Sequence, residues 1–226
     1  MSNNNEYEVV TWTPTKIKIE TLKEEIKNNI IQIPTYQRGI VWTESMQKSL
    51  VDSLRKQYPF GSLTIYVYNK DKKLIIDGLQ RCTALIRFID DPAFFFEKSD
   101  ISEETIERIV NKLEEVGYID EKMNKETISD SIRDTVYKFV KQQDSGEKIQ
   151  KMETAKCAQQ IFEVVLKKES EKFSLCEEIA KIIEPDFERY KCLVQNIKNK
   201  EIPYIEISGK GINLAEIFNR INNKGI

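Results

Sequence analysis

The chain has 226 residues, with 35 Lys plus Arg against 37 Asp plus Glu and a net charge of −2. That length suits one or two domains, and the near-balance of charge excludes a global basic field that would draw the whole protein onto nucleic acid. The apolar fraction of 40% is too high for general disorder, and the complete absence of histidine removes serine–histidine triads, cysteine–histidine pairs, HExxH and two-Cys-two-His zinc sites, and HNH-type nuclease centres.

In chain order, residues 1–14 are polar and expected to fray, apart from a short strand at Tyr7 to Trp12. Ile19, Leu22, Ile26 and Ile30 recur at helical spacing and predict a helix near 20–29. The stretch IIQIPTYQRGIVW follows, where apolar alternation and the restriction that Pro34 imposes predict a strand running into an ordered loop. TESMQKSLVDSLRKQY is an amphipathic helix with Thr43 as N-cap, Glu44 in its first turn and Met46, Leu50, Val51 and Leu54 on one face. PFGS ends it. LTIYVY, the polar turn NKDKK and LIID then read as a β-hairpin. From Leu79 a second helix begins, with Leu79, Cys82, Leu85, Ile86 and Ile89 as its apolar face.

Residues 91–200 change character, rich in Glu and Lys and poor in glycine. Helices are expected near 102–116, 126–142, 151–168, 173–182 and 186–199, with QQDSGEK as an internal linker. EIPYIEIS returns to strand chemistry, GKG turns the chain, and NLAEIFNRINNKG is a last helix. Asn213 with Glu216 three residues on is a capping-box arrangement; Leu214, Ile217, Phe218 and Ile221 form the apolar face, and Gly225 suits C′. The expected fold is α+β: a mixed-sheet core at 1–90, a helical segment at 91–200 and a strand–helix return at 201–226, ending so abruptly that an N-terminal part of a longer protein is expected. The four cysteines, Cys82, Cys157, Cys176 and Cys192, form no CxxC pair, so zinc is not expected and buried free thiols are. Without a signal peptide or a long apolar run, the protein is expected in the cytoplasm.

Two stretches place polar groups where an apolar core is expected. In IIDGLQRCTAL, a strand ends at Asp77-Gly78 and feeds a helix. Backbone N–H groups at a helix N-terminus attract anions, Arg81 adds a forked phosphate donor, and helical phase turns Gln80 and Thr83 away from the apolar stripe. Asp77 would repel a bare phosphate, which leaves it to hold Mg2+, orient Arg81 or polarise a water. In IPTYQRGIVW, Tyr36, Gln37 and Arg38 stand in a row, with Arg38 as a second phosphate clamp and Tyr36 as a stacking or hydroxyl group. Each stretch alone also fits a plain surface turn.

Together, IPTYQRGIVW, an amphipathic helix, YPFGSLTIY and LIIDGLQRCTAL resemble the N-terminal domain of GmrSD-type restriction endonucleases, of the ParB/sulfiredoxin-like superfamily, whose signatures read roughly IPxYQRxYVW, YPIPxLxLY and IDGQQRLTTL. A further signature, FxRxNxxG, corresponds to Phe218, Arg220, Asn222 and Gly225. The resemblance implies a nucleotide pocket and hydrolysis of a nucleoside triphosphate with Mg2+, coupled to restriction of modified or phage DNA. On that basis Asp77, Gln80 and Arg81 are the catalytic candidates. Tyr36, Gln37, Arg38, Gly78, Thr83, Arg220 and Asn222 are expected to bind nucleotide, and Asp77 to hold the metal. The first Gln of the family pattern is Leu79 here. The expected partners are a nucleotide and DNA, the latter through a C-terminal nuclease domain or a partner subunit; no membrane is expected, and self-association stays open. The competing reading is a non-catalytic DNA-binding or regulatory ParB-like module. A direct nuclease ranks lowest, because only Asp77 stands near the motif.

Overall fold

The structure is a computed structural model, and it describes residues 10–34, 41–120, 122–166, 173–209 and 212–223. The chain divides into two compact units, one made of residues 1–87 with 196–226 and the other of residues 88–195.

The first unit is an α+β unit around one mixed sheet. Its elements are β1 (Thr11–Lys18), α1 (Ile19–Lys27), β2 (Ile31–Gln32), α2 (Glu44–Arg55), β3 (Leu63–Asn69), β4 (Lys72–Asp77), the start of α3 (Leu79–Asp90), and, after the second unit, β5 (Glu201–Ser208) and α9 (Leu214–Asn223). The strand order is β1-β5-β3-β4-β2. The strand from the C-terminal stretch is therefore internal, antiparallel to β1 over eight residue pairs and parallel to β3 from Leu63↔Tyr204 to Tyr66↔Ile207. Pro203 lies one residue before β3 joins, where its missing donor leaves that second ladder intact. The first described strand runs from Thr11 to Lys18, because pairing with β5 outweighs the low strand propensity of Pro14, which an edge strand tolerates; of the strand expected from Tyr7 to Trp12, residues 7–9 lie outside the described residues.

Leu63, Thr64, Ile65 and Tyr66 are consecutive and all buried, so both faces of β3 are covered. One face is closed by α9: Leu214, Ile217 and Phe218 pack on Tyr66, Ile76 and Ile207. Ile221, expected on that apolar face, is exposed. In α2 the inward row is Gln47, Leu50, Val51 and Leu54, whereas Met46 faces out. The inward face thus keeps Leu50, Val51 and Leu54 and differs from the all-apolar choice only in its first turn, where a glutamine occupies the core position. Thr43 caps α2 as expected, its Oγ1 accepting the Met46 N–H at 3.3 Å.

The second unit is helical. Its elements are α4 (Glu103–Glu115), α5 (Lys125–Lys141), α6 (Gly146–Gln150), α7 (Thr154–Val165) and most of α8 (Phe173–Lys198). The two helices expected at 173–182 and 186–199 are one. Pro185 lies inside α8, and Ile182, Ile183, Asp186 and Phe187 around it are buried, so packing carries the helix through a residue that removes one backbone bond. QQDSGEK is not a loose linker: Ser145 caps α6 by accepting the Lys148 N–H, and a Cβ on Gly146 would stand 2.8 Å from the Ile89 carbonyl oxygen. Ahead of α4, the carbonyls of a short 3-10 turn at Pro92–Phe95 are bound by side chains. Tyr190 Oη donates to Pro92 O at 2.7 Å, and Lys141 Nζ to Ala93 O and Phe94 O at 2.7 and 2.9 Å.

Candidate functional site

The corner between β4 and α3 is built by three local features. First, the register moves from Ile65↔Ile75 to Thr64↔Asp77, so β4 carries one extra residue just before Asp77. Such a bulge re-aims the side chain at the strand end. Second, Gly78 turns the chain at φ +95°, and a Cβ there would lie 2.5 Å from Leu63 Cδ2; backbone and packing both demand glycine. Third, the carbonyl of Gly78 accepts the Cys82 N–H at 2.9 Å, which closes the first turn of α3.

Arg81, in the first turn of α3, folds back over this corner. Its Nη2 donates to Asp77 Oδ2 at 2.8 Å and to the Ser62 carbonyl at 2.9 Å. The guanidinium lies between two glycines: a Cβ on Gly61 (φ +85°) would approach Nη1 to 2.9 Å, and one on Gly78 would approach Nη2 to 3.2 Å. Arg81 Nε is buried with no hydrogen-bond partner. Asp77 and Arg81 side chains remain 28% and 22% exposed, so solvent or a ligand can reach the pair. Beneath it, burial pushes the Cys82 thiol up to about 12, and the thiol stays protonated. The chemistry of the corner is therefore one carboxylate beside one forked cation, without a nucleophilic sulfur. Among the described residues no group of three or more Cys, Asp or Glu gathers to hold a metal. Asp77 is the carboxylate that the corner itself offers to a metal, and a Mg2+ that arrives on phosphates with its waters would need few protein ligands.

Gln80 points to a different neighbour. Its Oε1 accepts the N–H groups of Val41 and Trp42 at 2.9 and 3.1 Å, which ties the end of the IPTYQRGIVW stretch to the start of α3. Thr83 is half-buried and its hydroxyl donates to Leu79 O, one turn back, at 3.0 Å. Leu79 is itself only half-buried, and so is Ile86; Cys82, Leu85 and Ile89 are buried as expected, together with Ala84 and Phe88. Leu79 thus flanks the apolar stripe instead of anchoring it.

Among the remaining candidates, Arg220 is the one whose side chain the structure describes. Arg220 is on the exposed side of α9, where its Nε and Nη2 both donate to Glu216 Oε1 at 3.0 and 2.6 Å. That bond also explains why the capping box is half formed: Asn213 Oδ1 accepts the Glu216 N–H, but the Glu216 carboxylate is held by Arg220. Asn222 belongs to α9, and its side chain falls outside the description. Tyr36, Gln37 and Arg38 also lie outside the described residues.

Sequence reading missed Gly61 and Ser62, which appear only as a helix-ending PFGS, and Gln47, which is masked by the apolar neighbours around it. A polar residue at an inward helical phase is the signal that finds Gln47.

Comparison with known proteins gives one family. Residues 19–226 match the model of the GmrSD restriction endonuclease, N-terminal domain. No curated protein and no solved structure matches.

Proposed function

The chain belongs to the GmrSD restriction endonuclease N-terminal domain family, whose proteins act on DNA in restriction, and from that premise we propose that this domain binds a nucleoside triphosphate with Mg2+ at the Asp77–Gly78–Arg81 corner and hydrolyses it. The observation that carries this reading is the ion pair Arg81 Nη2–Asp77 Oδ2, at 2.8 Å and still partly exposed, set at a helix start by a bulge and a glycine that tolerates no side chain. Phosphoryl transfer asks chiefly for positioning and charge neutralisation. Arg81 supplies a forked donor for a phosphate, and Asp77 supplies a carboxylate for the Mg2+ that accompanies it. Arg38 and Tyr36 belong to the same reading through their motif, and Arg220 and Asn222 through theirs; for Arg220 to reach a nucleotide it must first leave Glu216.

The test is phosphate release from a panel of ATP, GTP, CTP and UTP with Mg2+. Wild type is expected to release phosphate from at least one, and Asp77→Ala to abolish the release. No release from any of the four, together with a salt-dependent shift of duplex DNA, would replace this reading with that of a DNA-binding module.

A further inference from the structure

We infer that Gln80 and Gln47 form a clasp that holds the Val41–Trp42 backbone against α3, and that both are positioning residues for the corner rather than participants in its chemistry. The inference rests on the nucleotide reading above for its functional consequence, but the clasp itself stands on four hydrogen bonds. Gln80 Oε1 accepts from Val41 N–H and Trp42 N–H. Gln47 Nε2 donates to the Trp42 carbonyl at 3.2 Å. Gln47 Oε1 accepts from Arg87 Nη1 at 3.1 Å, and Arg87 Nη2 lies 4.0 Å from Glu44 Oε1. Gln80 and Arg87 are seven residues apart, two turns on the same face of α3. The peptide at Trp42 is therefore gripped at both its N–H and its C=O, from α3 by Gln80 and from α2 by Gln47.

Two features argue that this is a built arrangement. Gln47 is only 5% exposed, and a buried amide is tolerated because both of its ends are satisfied. In addition, Val41 and Trp42 lie outside any helix or strand, so no ladder holds their N–H groups, and Gln80 is what satisfies them. The oxygen that would orient a water is thus the oxygen that two backbone donors already share. A chain segment leading into α2 is set in place relative to Gly78 and Arg81 by these two side chains, so their loss should act on ligand affinity and not on the chemical step.

The test compares Gln80→Met, Gln80→Glu, Gln47→Leu and wild type by amide hydrogen exchange and by nucleotide kinetics with the NTP that wild type hydrolyses. Gln80→Met removes the acceptor and Gln80→Glu keeps it. Exchange at Val41 and Trp42 is expected to speed up at least fivefold in Gln80→Met and to stay near wild type in Gln80→Glu. Gln47→Leu is expected to raise KM about five- to tenfold, as loss of one or two net hydrogen bonds implies, with kcat within twofold; Gln80→Met should do the same, and the double variant should fall short of the product of the two effects. A kcat lowered tenfold or more in Gln80→Met with KM unchanged would overturn the proposal, because Gln80 would then act on the reaction. Unchanged exchange in both Gln80→Met and Gln47→Leu would overturn it too. If wild type hydrolyses no nucleotide the functional reading fails, and the exchange rates alone then decide the clasp.

Discussion

At the scale of single residues, the corner depends on what glycine permits. Gly78 and Gly117 both have positive φ, +95° and +77°, but only Gly78 has a neighbour in the way; a Cβ at Gly117 meets nothing within 4 Å. Gly117→Ala should therefore show backbone strain alone, about 1 kcal/mol, whereas Gly78→Ala adds a clash with the fully buried Leu63 and should cost at least about 2–3 kcal/mol. Urea denaturation of the two variants checks the order, and equal losses would mean that Leu63 yields. The Asp-Gly pair was legible in the sequence as a corner because Asp-Gly is turn chemistry whatever surrounds it. The depth of Arg81 was not, because its partners Gly61 and Ser62 are distant in sequence and come beside it only through the pairing of β3 with β4.

At the scale of elements, helical periodicity located α1 to α5, α7 and α9 and failed at their details for separable reasons. In α2 the rule that apolar residues face in chose Met46, but Gln47 takes the inward place, since Trp42 and Arg87 satisfy its amide. In α8 the rule that proline ends helices chose a break that packing overrides. Pro185 itself is exposed, so Pro185→Ala opens no cavity and restores a backbone donor. It should stabilise the protein by about 1–3 kcal/mol, read as a rise in the midpoint of thermal unfolding. A lower midpoint would show that the ring contributes contacts of its own. The start of α4 is fixed at longer range: the buried carboxylate of Asp186 accepts the Ser102 N–H at 2.9 Å. No local pattern announces a partner 84 residues away.

At the scale of the whole molecule, the α+β class was readable because strand-like and helix-like periodicities occupy separate stretches. The order β1-β5-β3-β4-β2 was not, since nothing local to EIPYIEIS says that it inserts between β1 and β3. The insertion has a functional consequence. The unit that holds the corner is assembled from residues 1–87 and 196–226, so Asp77 and Arg81 depend on both stretches for the sheet that frames them. Near-zero net charge adds no general attraction for polyanions, so affinity for a nucleotide has to come from local geometry at the corner. The decisive measurement is calorimetric titration of the Mg2+ complex of the hydrolysed nucleotide into wild type, Asp77→Ala and Arg81→Lys, each first shown folded by circular dichroism. Wild type should bind one nucleotide per chain. Arg81→Lys, which keeps the charge but loses the fork, should bind at least about tenfold more weakly. Asp77→Ala should lose the dependence of affinity on Mg2+. Folded variants that bind as tightly as wild type, with the same Mg2+ dependence, would contradict a nucleotide site at this corner.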